Sequence, residues 1–400
     1  MTVSSMMDAA VLEHGLGPYL PDLARFKNTR ELEASPLYRR LQPEVRRVLD
    51  AISMGDFAPS IEAPAADGCI RAVAWNVERG IHAEGVIESI RNHPKLARSD
   101  VFLLSELDYG MARTRNRFVA RDIAEALGLN YAFAVCYLAL NKGSGIEKHA
   151  EGENAESLHG NAVLARHPMR RVHALPLPNG KDKMSGEEKR IGCQRAVIAD
   201  IQHPRGEFRA VSLHLDAHSS QRRRVQQMQV LLDHLDRLEP RLPVLIGGDW
   251  NTTTHNASRA LYSILGYCRR VLMGVRHVVA NHYPYPERWF ERRLFRELEQ
   301  RGYSYRDLNV PGACTLHYDI QDIAANLNMR EWVPGWCFWF INWALERTGG
   351  RCSLKLDWFA GKGIHPAVED SEGPAVIDSL KSGGKRVSDH DPIMVGFGFS

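Results

Sequence analysis

The chain of 400 residues has no CxxC pair, and its seven cysteines, at 69, 136, 193, 268, 314, 337 and 352, are scattered and odd in number. Dispersed thiols of this kind exclude a disulfide framework and a cysteine zinc site, and fit a reducing compartment. The opening MTVSSMMDAAVLEHG lacks the basic and apolar regions of a secretory signal. Together these absences give a cytoplasmic expectation. A long hydrophobic run is missing too: WVPGWCFWFINWAL (332–345) holds only 14 residues and contains Pro334 and Asn342, short of the ~20 that span a bilayer. Nor is there an excess of one charge. Lys and Arg total 51 against 48 Asp and Glu, a net +3, so no global field favours nucleic acid or membrane, and partners must be recognised locally. No internal repeat or low-complexity tract occurs.

What is present is a 44% hydrophobic composition, enough for a large core. Residues 1–68 read as an N-terminal helical extension and linker, with Pro43 opening a helix in which Leu41, Val45, Val48, Leu49 and Ile52 recur at helical spacing. APSIEAPAADG (58–68) is the linker. From Ile70 onward, short β-like runs alternate with helices and turns: IRAVAWN, VFLLSE, YAFAVCYL, NAVLAR, RAVIADI, FRAVSLHL, PVLIGGD, LKLDWFAG and IMVGFGF. Two helices are well marked, one from Phe118 to Leu127 closed by Gly128, the other from about Val225 to Leu238 with Ser219 or Ser220 as N-cap. Strands with helices outside predict two face-to-face sheets covered by helices, in a domain spanning 69–400. An insertion interrupts it at about 256–350, where helical pieces replace strands.

The strands repeatedly end in polar groups. VAWN ends in Asn76, FLLSE in Glu106, VSLHL carries His214, LIGGDWN carries Asp249 and Asn251, KLDW carries Asp357, and SDHDP supplies Asp389 and His390. Such a set is rich in oxygen donors and contains no thiolate, which suits Mg²⁺. Taken singly, each residue is also compatible with a turn or a satisfied core position; their joint occurrence is what points to a site.

In order along the chain, WNVERG, LLSELD, HGNAVLARHP, SLHLDAHSSQRRRVQQ, GGDWN, LDWFAG and SDHDP resemble the motifs of the endonuclease/exonuclease/phosphatase superfamily, the DNase I-like metal-dependent phosphoesterases. The resemblance covers about 70–400, outside the extension and the insertion. It implies an α/β fold, a four-layer α-β-β-α sandwich, with the site where strand ends meet. It further implies Glu106 as principal Mg²⁺ ligand (Mn²⁺ a substitute), beside Asn76 and Asp389. Asp249 and Asn251 would orient water and phosphate, His390 would be the catalytic histidine held by Asp357, and His214 would contact a phosphate oxygen or assist the leaving group. Histidine in HL resembles the DNase I, sphingomyelinase and inositol-phosphatase branches more than the abasic-site endonucleases.

Phosphate hydrolysis needs a positioned water, neutralised equatorial oxygens and a stabilised leaving oxygen, which this residue set can supply. The function expected is therefore Mg²⁺-dependent hydrolysis of a phosphodiester by metal- and His-assisted attack of water. The substrate is a nucleic acid, a nucleotide-like molecule or a lipid headgroup. The alternatives are a sphingomyelinase-like or inositol-type phosphoesterase, and a non-catalytic binding module on the same fold. Substrate-binding candidates are Arg113, Arg115 and Asn161, Arg222 at a helix start, and Trp336 and Trp339 in the aromatic insertion, where rings would wall a pocket or move as a lid.

Overall fold

In the computed structural model, which describes residues 10–59, 68–252, 260–319, 337–367 and 373–400, strand β2 (Ile70–Asn76) shows how the layers arise. Ile70, Ala72 and Ala74 pack between two sheets, while Val73 and Trp75 pack outward beneath helices. Both faces of the strand are buried, so from Ala72 to Trp75 a period of two is written in apolar residues alone.

The first sheet runs in the order β1 (Ile52–Gly55), β4 (Asn130–Ala139), β5 (Leu158–Ala165), β3 (Val101–Tyr109), β2, the C-terminal strand Ile393–Phe399 and β14 (Ile364–Pro366), with β7 (Arg190–Gly192) beside β4. The second runs β13 (Asp357–Lys362), β10 (Val244–Asp249), β9 (Gly206–Ser212), β8 (Arg195–His203), β6 (Met169–Pro176). Phe208, Leu245 and Phe359 of the second sheet meet Ala72, Leu103 and Val395 of the first in the inner layer. Outside the first sheet lie helices Pro36–Asp50, Ala83–Asn92 and Val119–Leu127; outside the second lie Gln221–Leu235 and Arg292–Gln300. The expected four-layer α-β-β-α sandwich is the observed fold.

The local signals explain the helices. Gly128 closes Val119–Leu127 in the left-handed conformation at φ 63°, and Ser220 caps Gln221–Leu235 by accepting the Arg223 N–H. The extension differs from expectation: its helix starts at Pro36 behind the Ser35 cap, and Pro43 lies inside it. Pro43 is exposed, so the carbonyl its missing N–H would have satisfied can be met by water. The extension also adds a strand, since β1 pairs antiparallel with β4. Leu316–Asp319 (β11), inside the insertion, and Arg351–Leu354 (β12), just past its end, form a two-stranded ribbon at the root of the helical segments. Among the described residues no helix is long and apolar enough to cross a membrane.

Candidate active site

Two parallel pairs place four strand ends at one edge of the sandwich. β2 runs parallel to β3, with Asn76 opposite Ser105, and β9 runs parallel to β10, with Ser212 opposite Gly247. β13 returns antiparallel, which sets Asp249 directly opposite Asp357. The C-terminal strand returns beside β2, so His390, just before it, reaches the same edge, and the Trp75 indole donates to its carbonyl at 2.9 Å.

Two backbone devices aim the side chains. Leu104 and Leu107 both pack outward, three residues apart, so β3 carries one extra residue there; the register with β5 shifts between them. That bulge puts Glu106 at φ 57° and turns its carboxylate toward the strand ends. The Glu106 amide donates to Asn161 Oδ1 at 3.3 Å, while Asn161 Nδ2 donates to the Arg195 carbonyl at 3.0 Å. In LIGGDWN, a Cβ on Gly248 would lie 2.1 Å from the Leu213 carbonyl oxygen, and one on Gly247 would lie 2.6 Å from the Phe359 ring. Both glycines are thus demanded by close packing beside the site.

Asp249 is the meeting point. Its Oδ2 lies 3.5 Å from His214 Nε2 and 3.8 Å from His390 Nε2, and accepts from Asn76 Nδ2 at 3.2 Å. Its Oδ1 accepts the Asn251 N–H at 2.9 Å, and the Asn251 amide donates to the Leu215 carbonyl at 2.9 Å, held in place at φ 52°. On the far side of the imidazole, His390 Nδ1 sits 2.8 Å from Asp357 Oδ2. Asp357 is braced from the insertion, whose Thr315 hydroxyl accepts from the amides of Leu356 and Asp357 at 3.2 and 3.3 Å.

The electrostatics follow from burial and neighbours. Burial pushes the Asp249 carboxyl up to about 7, against the pull of His390. For His390 burial works downward, but Asp357 and then Asp249 override it and raise the imidazole well above its ordinary value. His214 is pushed down to about 4 by burial, despite Glu106, and is neutral at pH 7. Burial and the Asp389 carboxylate lift Glu78 up to about 8. Burial would also raise Glu106, yet Arg79, His214 and His159 hold it below the carboxylate range. Crowded carboxylates fit a cation. Donor atoms of Glu106, His214 and Asp249 lie within 4.8 Å of one another, as do those of Asp249, Asp357 and His390, so a metal ion could be held here.

A model of the Endonuclease/Exonuclease/phosphatase family matches residues 73–390. The chain belongs to that family. No curated protein matches it in sequence. Among solved structures, an endonuclease/exonuclease/phosphatase from Beutenbergia cavernae is 16% identical, with a TM-score of 0.45, covering 83% of this chain and 72% of its own. The 3′ phosphatase NExo from Neisseria, bound to a product DNA hairpin, is 14% identical, with a TM-score of 0.46 and coverages of 83% and 99%. The human Nocturnin catalytic domain with bound sulfate is 14% identical, with a TM-score of 0.42 and coverages of 87% and 98%.

In this family member the structure brings together Asn76, Glu106, His214, Asp249, Asn251, Asp357 and His390. Asp389 is adjacent and exposed, its amide donating to Glu78 at 3.1 Å. Asn76 presents Nδ2 to both Glu106, at 3.0 Å, and Asp249, and its Oδ1 accepts the Glu78 N–H at 3.0 Å. Arg113 is removed from any substrate role by geometry: its side chain is 3% exposed and clamps Asp108, Glu147 and Glu188. Asn161 is likewise inward, bonded to the backbone of Glu106 rather than open to a ligand. Arg115 and Arg222 are exposed. Trp336 lies outside the described residues, and Trp339 is an exposed ring on helix Cys337–Leu345.

Three contributors were missed in the sequence. Arg79, in WNVERG, follows Glu78 in a second left-handed residue, φ 63° after 47°, and places its guanidinium 3.8 Å from Glu106 Oε2 and 3.0 Å from Glu147. Gln194 Nε2 sits 3.3 Å from His214 Nδ1, and Thr315 braces Asp357. Gln194 and Thr315 act across long sequence separations that no local pattern encodes. Arg79 had a signal in its adjacency to Asn76.

Proposed function

We propose that the protein hydrolyses a phosphodiester in a Mg²⁺-dependent reaction. The observation that carries this reading is the convergence of two histidines on Asp249, with one of them, His390, backed by Asp357 at 2.8 Å. Glu106, with Asp389 beside it, is the residue set that would hold Mg²⁺, which when bound would neutralise phosphate oxygens. Asp357 fixes the His390 ring with Nδ1–H toward itself, leaving Nε2 directed at Asp249 and the space a water would occupy. In its neutral form His390 takes the proton of that water through Nε2 as it attacks phosphorus, and Asp249 and Asn251 orient the nucleophile. His214, neutral and steadied by Gln194, hydrogen-bonds a phosphoryl oxygen or the leaving oxygen. Arg79, Arg115 and Arg222 supply further phosphate contacts. The presence of every acid and imidazole in the set favours catalysis over a binding module.

A substrate panel of single- and double-stranded DNA, RNA, sphingomyelin, inositol phosphates and bis-p-nitrophenyl phosphate, each with Mg²⁺ and with chelator, tests the reading. Chelator-sensitive release from at least one diester is expected. Monoesters alone being cleaved, or no turnover at all, would overturn it.

A further inference from the structure

The large hydrophobic side chains that remain exposed are concentrated in one place. Of the nine among the described residues, seven belong to the insertion: Tyr262, Leu265, Leu272, Met273, Trp289, Trp339 and Trp343. Leu272 is 88% exposed, at the end of helix Ala260–Leu272, and Met273 follows it in the turn before Val275–Asn281. Two contacts join this tip to the second exposed helix. Arg276 Nε donates to the Arg347 carbonyl at 2.8 Å, and the Arg347 guanidinium lies 4.5 Å from the Trp343 ring centre. Trp339 and Trp343, four residues apart, share the outer face of their helix, 67% and 42% exposed, while Ala344 and Leu345 face inward. Leu272, Met273, Trp343 and the two arginines therefore make one continuous patch.

Its charge selects the occupant. Over residues 260–293 and 337–351 together the chain has eight arginines and three glutamates; of the glutamates, Glu291 is buried against Arg224 and Glu346 is exposed beside Arg347. Aliphatic tips, tryptophans and arginines with little opposing acid are the composition of a surface that enters an anionic bilayer interface. One ribbon links the patch to the catalytic cleft. The β11–β12 ribbon is bridged at Leu316 to His390, and its other end, Asp319 opposite Arg351, leads toward Arg347.

We propose that the insertion docks this protein on an anionic lipid surface, with Leu272, Met273, Trp339 and Trp343 entering the interface and Arg276 and Arg347 at headgroup level. Docking is independent of the catalytic reading, because it is measured without turnover. Co-sedimentation of the full chain with sucrose-loaded vesicles of phosphatidylcholine alone, or with 30% phosphatidylglycerol, reads the partition directly. Strong binding is expected only to the anionic vesicles. Leu272→Glu, at an exposed position that spares the core, should weaken partition by an order of magnitude, as should Trp343→Ala. Arg276→Glu and Arg347→Glu should each cost at least about fivefold. Glu106→Gln should bind like wild type, which separates docking from chemistry. Absence of wild-type binding, or binding indifferent to Leu272→Glu and Trp343→Ala, would overturn the proposal. So would a dimer in sedimentation that Leu272→Glu dissolves, since a second copy would then be the occupant.

Discussion

His214 illustrates how a residue's chemistry is set by what stands behind it. Burial keeps it neutral at pH 7, and Gln194 at 3.3 Å from Nδ1 fixes the ring so that Nε2 faces the cleft. Supporting contacts of this kind contribute on the order of 10- to 100-fold to metal sites. Gln194→Ala should therefore lower kcat by about tenfold with a smaller change in KM; unaltered kcat would leave Gln194 a packing residue. Asn161 supports Glu106 in the same sense, through the backbone of the bulge. Asn161→Ala should raise the Mg²⁺ concentration for half-maximal activity by about tenfold or more, seen in a metal titration of turnover; an unchanged titration would remove it from that role. At this scale the sequence was legible where polar groups gather at strand ends. Asn76, Glu106, Asp249, Asp357 and His390 could be named because a polar group after an apolar run is visible locally. It was opaque for Arg113, because a buried guanidinium and a solvated one are written with the same letter.

Arg224 belongs to the scale of elements. It is wholly buried in helix Gln221–Leu235 and binds Glu291, at the start of Arg292–Gln300, through Nε at 2.9 Å, thereby tying the insertion to the outer layer of the second sheet. Burial lifts Glu291 up to about 7 even beside this partner. Removing one member of such a pair costs about 3–5 kcal/mol, whereas an apolar pair of similar volume is tolerated. Arg224→Ala should lower unfolding stability by that amount in a denaturant titration, and Arg224→Met with Glu291→Leu should recover most of it. A loss below about 1 kcal/mol for the single variant would show that the pair does not staple the layers. The helices Val119–Leu127 and Gln221–Leu235 were readable because their stripes and caps are local. The β1–β4 pairing was not, since four residues, Ile52–Gly55, at the end of a helix carry no mark of the distant strand they join.

Over the whole molecule, buried histidines make stability depend on pH. His203, at the end of β8, is held down to about 4 by burial, with His167 and Arg205 adding to the effect. In the unfolded chain it titrates near 6.5. Between these values the unfolded state binds more protons, so stability falls as pH drops from about 6.5 toward 4. His203→Gln should flatten the decline of Tm across that window; a slope equal to wild type would assign the acid sensitivity elsewhere. The four-layer architecture was legible as a whole because nine strand-like runs and their flanking helices allow few arrangements, while the insertion's helices and ribbon follow no pattern that the core imposes. The central claim is that one edge of this sandwich hydrolyses phosphodiesters through His390 and its Asp357 support. It is tested most directly by kcat on bis-p-nitrophenyl phosphate at saturating Mg²⁺ for wild type and His390→Ala, with matched Tm values. The account predicts a fall of about 100-fold or more in the variant, and turnover by folded His390→Ala at the wild-type rate would contradict it.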